Sequence, residues 1–171
     1  MRVIGILAVL GLAAAGAVPA ANMAATWQMY QPTASRCWAQ MPGVPQSDST
    51  HPQIWASVGD GGQTYSLGFE DEPAQGPAGQ ALLTSASDLV VQNKQGKLLE
   101  RNFYQWYGYA ACDFKVAQGA GQTAQLRLIL AKRRLYTLES DGAAASYDPA
   151  SAQKFFASFH LLRPYANRGK P

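Results

Sequence analysis

The sequence predicts an α+β fold, an antiparallel β-sheet of about seven strands flanked by two helices. Three observations carry this expectation. Short runs alternate apolar and polar residues with a period of two, as half-buried strands do. Two segments show helical spacing instead. The Gly- and Pro-containing stretches between them are too short to be linkers and read as turns. No internal repeat is visible, so residues 27–162 are read as a single α+β domain.

Taken in order, residues 35–41 form the first strand, with Cys37, Ala39 and Met41 on one face and a stop at Pro42-Gly43. Residues 54–58 alternate in the same way, and Gly59-Asp60-Gly61-Gly62 is a turn. Residues 64–70 form a third strand with Tyr65, Leu67 and Phe69 on one face, which suggests a meander. The segment EDEPAQGPAG reads as a loop, and Pro77 stands where a first helical residue would. From residue 78 to about residue 93, Leu82, Ala86, Leu89, Val90 and Asn93 fall at helical spacing, and Gly96 ends the helix. Residues 97–109 form a long strand that 111–116 continues or pairs with. Residues 123–131 and 133–140 make a hairpin, with Leu126, Leu128 and Leu130 sharing a face. Asp148 is an N-cap with Pro149 at the first helical position, and Phe155, Phe156 and Phe159 are the buried stripe of the closing helix. Residues 163–171 are a polar tail.

The chain's first twenty residues set the expected location. Arg2 followed by an apolar Ala/Gly-rich run, with Val18 and Ala20 at signal-peptidase positions, reads as a signal peptide over 1–20. The run is shorter than the roughly 20 strongly apolar residues of a spanning helix. The expected product is a periplasmic or secreted protein of about 150 residues, without stable membrane insertion after cleavage. In an oxidising compartment two cysteines usually pair, so Cys37 and Cys112 are the expected disulfide. Such a bridge closes a loop of about 75 residues and is worth about 4–5 kcal/mol in the loop-entropy account.

The formal net charge is +3, and it is unevenly placed. Residues 21–126 hold five basic and eight acidic residues, whereas 127–171 hold eight and three. The run Lys132-Arg133-Arg134 fits a solvated turn and is too short for a nucleic-acid footprint, so no nucleic-acid partner is expected.

The segment FYQWYGYAACDFKV, residues 103–116, is the densest aromatic stretch. In a strand, Phe103, Gln105, Tyr107 and Tyr109 share one row, and Tyr104 and Trp106 share the other. Aromatics on both rows suit a sheet covered on both faces, and Gly108 marks a bulge or close approach. The alternative is a stacking platform for a glycan or small molecule. Its candidate ligand-binding residues are Tyr104, Trp106, Tyr107 and Tyr109, with Trp27, Tyr30, Trp38 and Trp55 as further contributors.

No catalytic pattern is present. The Gly-x-Ser-x-Gly elbow of serine hydrolases is missing. Ser158 and His160 fall at a helix exit, and His51 and His160 with two cysteines do not make a zinc site. Glu70, Asp71, Glu72 and Asp60 lack the spacing of a calcium loop, and Gly59-Asp60-Gly61-Gly62 lacks the Lys-Ser/Thr of a phosphate loop. No metal and no cofactor are expected, and the chain is read as a non-enzyme.

The strand ending in Met41-Pro42-Gly43, the mid-chain helix, the hairpin reaching Arg134-Leu135-Tyr136, and the closing Phe-Phe-x-Ser-Phe of 155–159 followed by Leu161 together resemble PsbP-like domains. The resemblance spans residues 27–162 and implies a PsbP-like α/β/α sandwich. It also implies a binding or accessory role, since members serve as extrinsic photosystem subunits, as binders of a small nuclear GTPase, or in the bacterial envelope. Related secreted bacterial proteins carry a Pro-Gly-Arg-Glu-like turn near the position of Gly108, where this chain reads Gly-Tyr-Ala-Ala-Cys-Asp-Phe. The functional expectation is an exported, non-enzymatic accessory or binding domain with a protein partner in the cell envelope. The alternative is a small-molecule or glycan binder acting through Trp and Tyr residues near Gly108.

Overall fold

A computed structural model describes residues 26–47, 53–71 and 79–162. The expected signal peptide, His51, Glu72, Pro77 and the tail at 163–171 lie outside these residues. The elements are β1 (Trp27–Tyr30), β2 (Cys37–Pro42), β3 (Gln46–Ser47), β4 (Ile54–Val58), β5 (Thr64–Asp71), α1 (Gln80–Asn93), β6 (Lys97–Trp106), β7 (Tyr109–Ala117), β8 (Gln122–Ala131), β9 (Arg134–Ala143), α2 (Pro149–Ala157) and β10 (His160–Leu161). Seven strands form one antiparallel sheet in the order β3-β4-β5-β9-β8-β7-β6, and β1-β2-β10 form a second, small sheet.

The period-two pattern fills both faces of the large sheet. On one face α1 buries Leu83, Ala86 and Val90 against Cys112, Phe114, Val116, Leu126, Leu128 and Leu135. On the other, α2 and β2 bury Phe155, Phe156, Phe159, Ala39 and Met41 against Tyr65, Leu67, Phe69, Ile129, Tyr136 and Leu138. Each fully buried Leu or Phe contributes about 1.5–3 kcal/mol relative to exposure. Two layers of cover on one sheet make an α/β/α sandwich, and the α+β expectation holds.

Several details differ from the sequence reading. The first predicted strand is no part of a meander with the second: β2 pairs with β1 and β10 and lies over the large sheet. Its Pro42-Gly43 exit steers the chain to β3, which pairs with β4. Strand β5 runs one residue beyond the expected strand, so Asp71 belongs to the sheet as Glu70 does. The buried stripe of α1 runs through Leu83, Ala86, Ser87 and Val90, leaving Leu82 and Leu89 half-buried. At the end of α1 it is Gln95 that turns left-handed, at φ 48°. Gly96 is required for a different reason: a Cβ there would lie 2.3 Å from Val116 Cγ1 and 2.8 Å from the Ala117 carbonyl oxygen.

Residues 97–116 fold as a hairpin. Trp106 pairs with Tyr109, and the two-residue turn Tyr107–Gly108 has φ of 48° and 83°. Both central residues left-handed is the type I′ pattern that matches strand twist. Gly108 is thus a turn residue, and the irregularity in this hairpin falls between Leu98 and Glu100 instead. At α2 the predicted cap is present: the Asp148 carboxylate accepts from the Ala150 N–H at 2.9 Å, with Pro149 opening the helix.

The expected Cys37–Cys112 disulfide is not formed, and both thiols are free and buried. Parity explains this. Ala111 faces the α2 side of the sheet, so Cys112 faces the α1 side, whereas Cys37 lies in the layer over the α2 side. The sheet itself separates them. Burial pushes each thiol up to about 11, in Cys37 against the opposing hydrogen bond from Ser35. Neither should react with iodoacetamide in the folded state at neutral pH, and both should react after denaturation without reductant. Mass spectrometry checks this directly; a two-dalton deficit that blocks alkylation would restore the bridge.

Candidate interaction surface

The aromatic hairpin is where the sequence places its candidate residues, and the structure divides them. Tyr104, Trp106 and Tyr109 are partly buried and pack against the α2-side core, whereas Phe103 packs on the α1 side. Tyr107, at the turn, is 81% exposed.

Tyr104 is held by a polar clasp. Its hydroxyl donates to Asp113 Oδ1 at 2.9 Å. Arg127 grips the same carboxylate with two bonds of 2.8 Å, and its Nη1 donates to the Phe156 carbonyl at 3.1 Å. The guanidinium also lies 5.8 Å from the Tyr104 ring and 5.4 Å from the Phe156 ring. Burial works against the Arg127 charge, yet its bonds to Asp113 outweigh that and its pKa is raised. Burial, then the Asp113 charge, pushes the Tyr104 hydroxyl far up, so it stays protonated. The clasp ties β6, β7, β8 and α2 together, and Tyr104 is spent on it.

Trp106 lies 5.4 Å from Phe159 at a 45° tilt and meets Tyr107 edge-on at 4.8 Å. One of its faces is taken up by the core, so the hairpin rings form no flat array. The further aromatics are scattered. Trp38 stacks on His160 at 4.2 Å and 5°, Trp55 stacks on Phe69 at 5.9 Å, and Trp27 meets the edge of Tyr65 with the Lys154 ammonium 4.5 Å from its ring. Tyr30 is half-buried on β1.

Around the tip, three segments meet. Ala110 pairs with Leu130 and Ala131 with Arg134, so the Tyr107–Gly108 turn and the Lys132–Arg133 turn emerge side by side. Arg134 donates two bonds to Asp71, at 2.7 and 2.9 Å, and two more to the carbonyls of Ala34 and Ser35. Its guanidinium lies 4.2 Å from the Phe69 ring. Tyr136 also donates to Ser35 O at 2.9 Å, fixing the 32–36 turn beside the Lys132–Arg133 turn at the same end of the sheet.

The remaining candidates do not assemble. Ser158 Oγ donates to Phe155 O and accepts from Gln40 N, while His160 Nδ1 lies 2.9 Å from Ser158 O. Hydroxyl and imidazole therefore serve the helix exit separately. Asp60 lies before β5, and Glu70 and Asp71 at its far end, so these carboxylates cannot share an ion. Among the described residues no group of three or more His, Cys, Asp or Glu side chains could hold a metal. No described helix is long and apolar enough to cross a membrane. A cavity of about 200 Å³ opens at the opposite end of the molecule, lined by Trp27, Asp60, Gly61, Tyr65, Ser146, Asp148 and Ser151.

No protein-family model matches the sequence, and no curated protein matches it significantly. Solved structures do match. The cyanobacterial PsbP protein CyanoP from Synechocystis sp. PCC 6803 superposes with a TM-score of 0.62 at 12% identity, covering 85% of this chain and 98% of that one. The Saccharomyces cerevisiae Ran-binding protein Mog1p superposes with a TM-score of 0.53 at 11% identity, covering 81% and 96%. At such identities the likeness concerns the fold, and it coincides with the layer order described above: the chain has a PsbP-like fold.

Proposed function

We propose that the protein is an exported, non-enzymatic accessory domain that works in the bacterial envelope through protein contacts made at the Tyr107 end of its sheet. The observation that carries this reading is the tip itself. A large aromatic side chain stands 81% exposed on a rigid two-residue turn, and aromatic anchors of this kind are favoured at protein interfaces. The signal-like first twenty residues support export. A Ran-binding protein shares the fold, which makes protein contact a natural use of it. The glycan reading has less support, because the Trp106 face is spent on Phe159 and Tyr104 on Asp113.

The test is photo-crosslinking in cells, with benzoylphenylalanine at position 107 and, as control, at exposed Ala144 on the far side of the molecule. A discrete adduct from position 107 alone, recovered in the periplasmic fraction, is the expected result. Identical patterns from both positions, or no adduct from position 107, would overturn the proposal.

A further inference from the structure

Among the described residues six that are not glycine have a left-handed φ: Ala34, Arg36, Gln95, Tyr107, Ala120 and Lys132. Four of them, Ala34, Arg36, Tyr107 and Lys132, lie in the three turns that meet at the Tyr107 end. Residues with a Cβ disfavour this region, and glycine enters it freely. Arg36, Tyr107 and Lys132 are exposed, so the interior does not require their side chains. Long side chains held at positions where glycine is less strained, in three separate turns at one end of the sheet, are the pattern expected of a contact surface that accepts backbone strain.

Among the described residues the charge at this end is net positive. Asp71 is held below the usual carboxylate range, first by its bonds to Arg134, and Arg36 and Arg133 also contribute. Asp71 is the carboxylate that Arg134 occupies. Arg36, Lys132 and Arg133 remain exposed beside it. Even counting Glu70, one residue earlier on β5, the described residues at this end hold four cations and two carboxylates.

We infer that this end docks an acidic segment of a partner protein, with Arg36, Lys132 and Arg133 meeting its carboxylates and Tyr107 packing against its backbone or side chains. The inference rests on the protein-contact reading above and names the partner's chemistry. Two-residue turns cannot enclose a small molecule. Three exposed cations are too few to track a nucleic-acid backbone. Tyr107, with the partly exposed Leu162 bonded to Arg36 O, offers too little apolar surface for insertion among lipid chains.

The test uses the full mature chain and a fluorescent oligoglutamate peptide as probe, with oligoglutamine and phosphatidylglycerol vesicles as controls. Three variants replace strained residues with ones suited to a left-handed φ: Arg36→Gly, Lys132→Gly and Tyr107→Asn, the last creating the Asn-Gly pair that type I′ turns favour. Saturable oligoglutamate binding that weakens with added salt is expected. Arg36→Gly combined with Lys132→Gly should weaken it roughly tenfold or more, while the melting temperature of each variant stays at or above the parent's. A marked fall in melting temperature would make these side chains structural and overturn the inference. Preference for vesicles over peptide would replace the acidic segment with a membrane. A position-107 crosslink in cells without oligoglutamate binding would sink the acidic segment and leave the protein-contact reading standing.

Discussion

Lys94→Met is expected to destabilise the protein by about 3–5 kcal/mol at neutral pH, the usual cost of removing one partner from a buried ion pair. Lys94 caps the C-terminal end of α1 and turns its ammonium into the sheet. Nζ lies 2.5 Å from Glu139 Oε1 and 3.0 Å from Asp141 Oδ2, and the side chains of Lys94 and Glu139 are 5% and 4% exposed. Gln118 donates to the same Asp141 oxygen at 3.0 Å, and Glu139 Oε2 is buried without a partner. For Lys94, burial opposes the charge but two carboxylates outweigh it, and the pKa is raised. For Glu139, burial outweighs the single ammonium and Asp141 pushes the same way, lifting the carboxyl to about 7.

The sign of the pH dependence follows. The unfolded chain loses the Glu139 proton near the ordinary glutamate value of 4.5 and the folded chain at about 7. Between these values the folded state holds more protons, so this group's contribution to stability declines as pH rises through that window. The Lys94 contribution is lost only above 10.5, outside the window. Without the ammonium the carboxyl pKa rises further, so the Lys94→Met penalty is largest above about pH 7 and shrinks on acidification. Urea unfolding at about pH 8 and about pH 5.5 measures it. Adding Glu139→Gln should recover much of the loss. A penalty below about 1 kcal/mol, or one that does not change with pH, would show that the pair carries little of the fold's stability.

Phe159→Ala should cost about 3–5 kcal/mol, a fall in Tm of roughly 6–20 °C for a domain of this size. Phe159 is 1% exposed just past α2, where its ring meets Trp106 at 5.4 Å and Tyr136 at 5.5 Å. Those two rings belong to β6 and β9, so one side chain joins the closing segment to both an edge and a central strand of the large sheet. Truncation leaves a void that a sheet pinned by the Arg127 clasp cannot readily collapse to fill. Differential scanning calorimetry gives the stability change, and near-ultraviolet circular dichroism should lose intensity as Trp106 is freed. An unchanged Tm would mean that α2 is held chiefly by Phe155 and Phe156.

Much of this architecture is legible in the residue pattern, for identifiable reasons. Strands β5 and β8 declare themselves through a period-two run of apolar residues, and β4 and β9 through short apolar-rich runs bounded by turns. Helix α2 declares itself through Asp148, Pro149 and its buried Phe155 and Phe156, with Phe159 just past its end. Strands β3 and β10 have two residues each and offer no period to detect. The cysteine pairing is misjudged because parity tells which residues share a face of β7, and not which layer covers that face. The Tyr107–Gly108 turn carries a legible signal, a residue followed by glycine between two alternating runs, but a continuous aromatic stretch masks it as one long strand. The Lys94–Glu139 pair and the Asp113–Arg127 clasp join residues distant in sequence, and no local pattern marks a charge for burial. The candidate surface needs the tertiary structure itself, since strand pairing brings the 107–108 and 132–133 turns to one end and the bonds of Arg134 and Tyr136 bring the 32–36 turn there.

The position of β9 between β5 and β8 has a kinetic consequence. Strands β6 to β9 are sequential neighbours and can zip together by short closures, whereas Thr64 must find Asp141 and Asp71 must find Arg134. Distant pairings carry the larger loop-closure entropy and form late. A chain threaded out N-terminus first therefore keeps β5, with β3 and β4 paired behind it, without its β9 neighbour until residues 134–143 emerge, and β2 completes its own sheet only when His160 and Leu161 arrive. Folding is postponed until almost the whole domain is available, with β6 to β9 as its starting point. Pulsed hydrogen exchange should accordingly find β7 and β8 amides protected before those of β4, and the reverse order would place the nucleus in the N-terminal half.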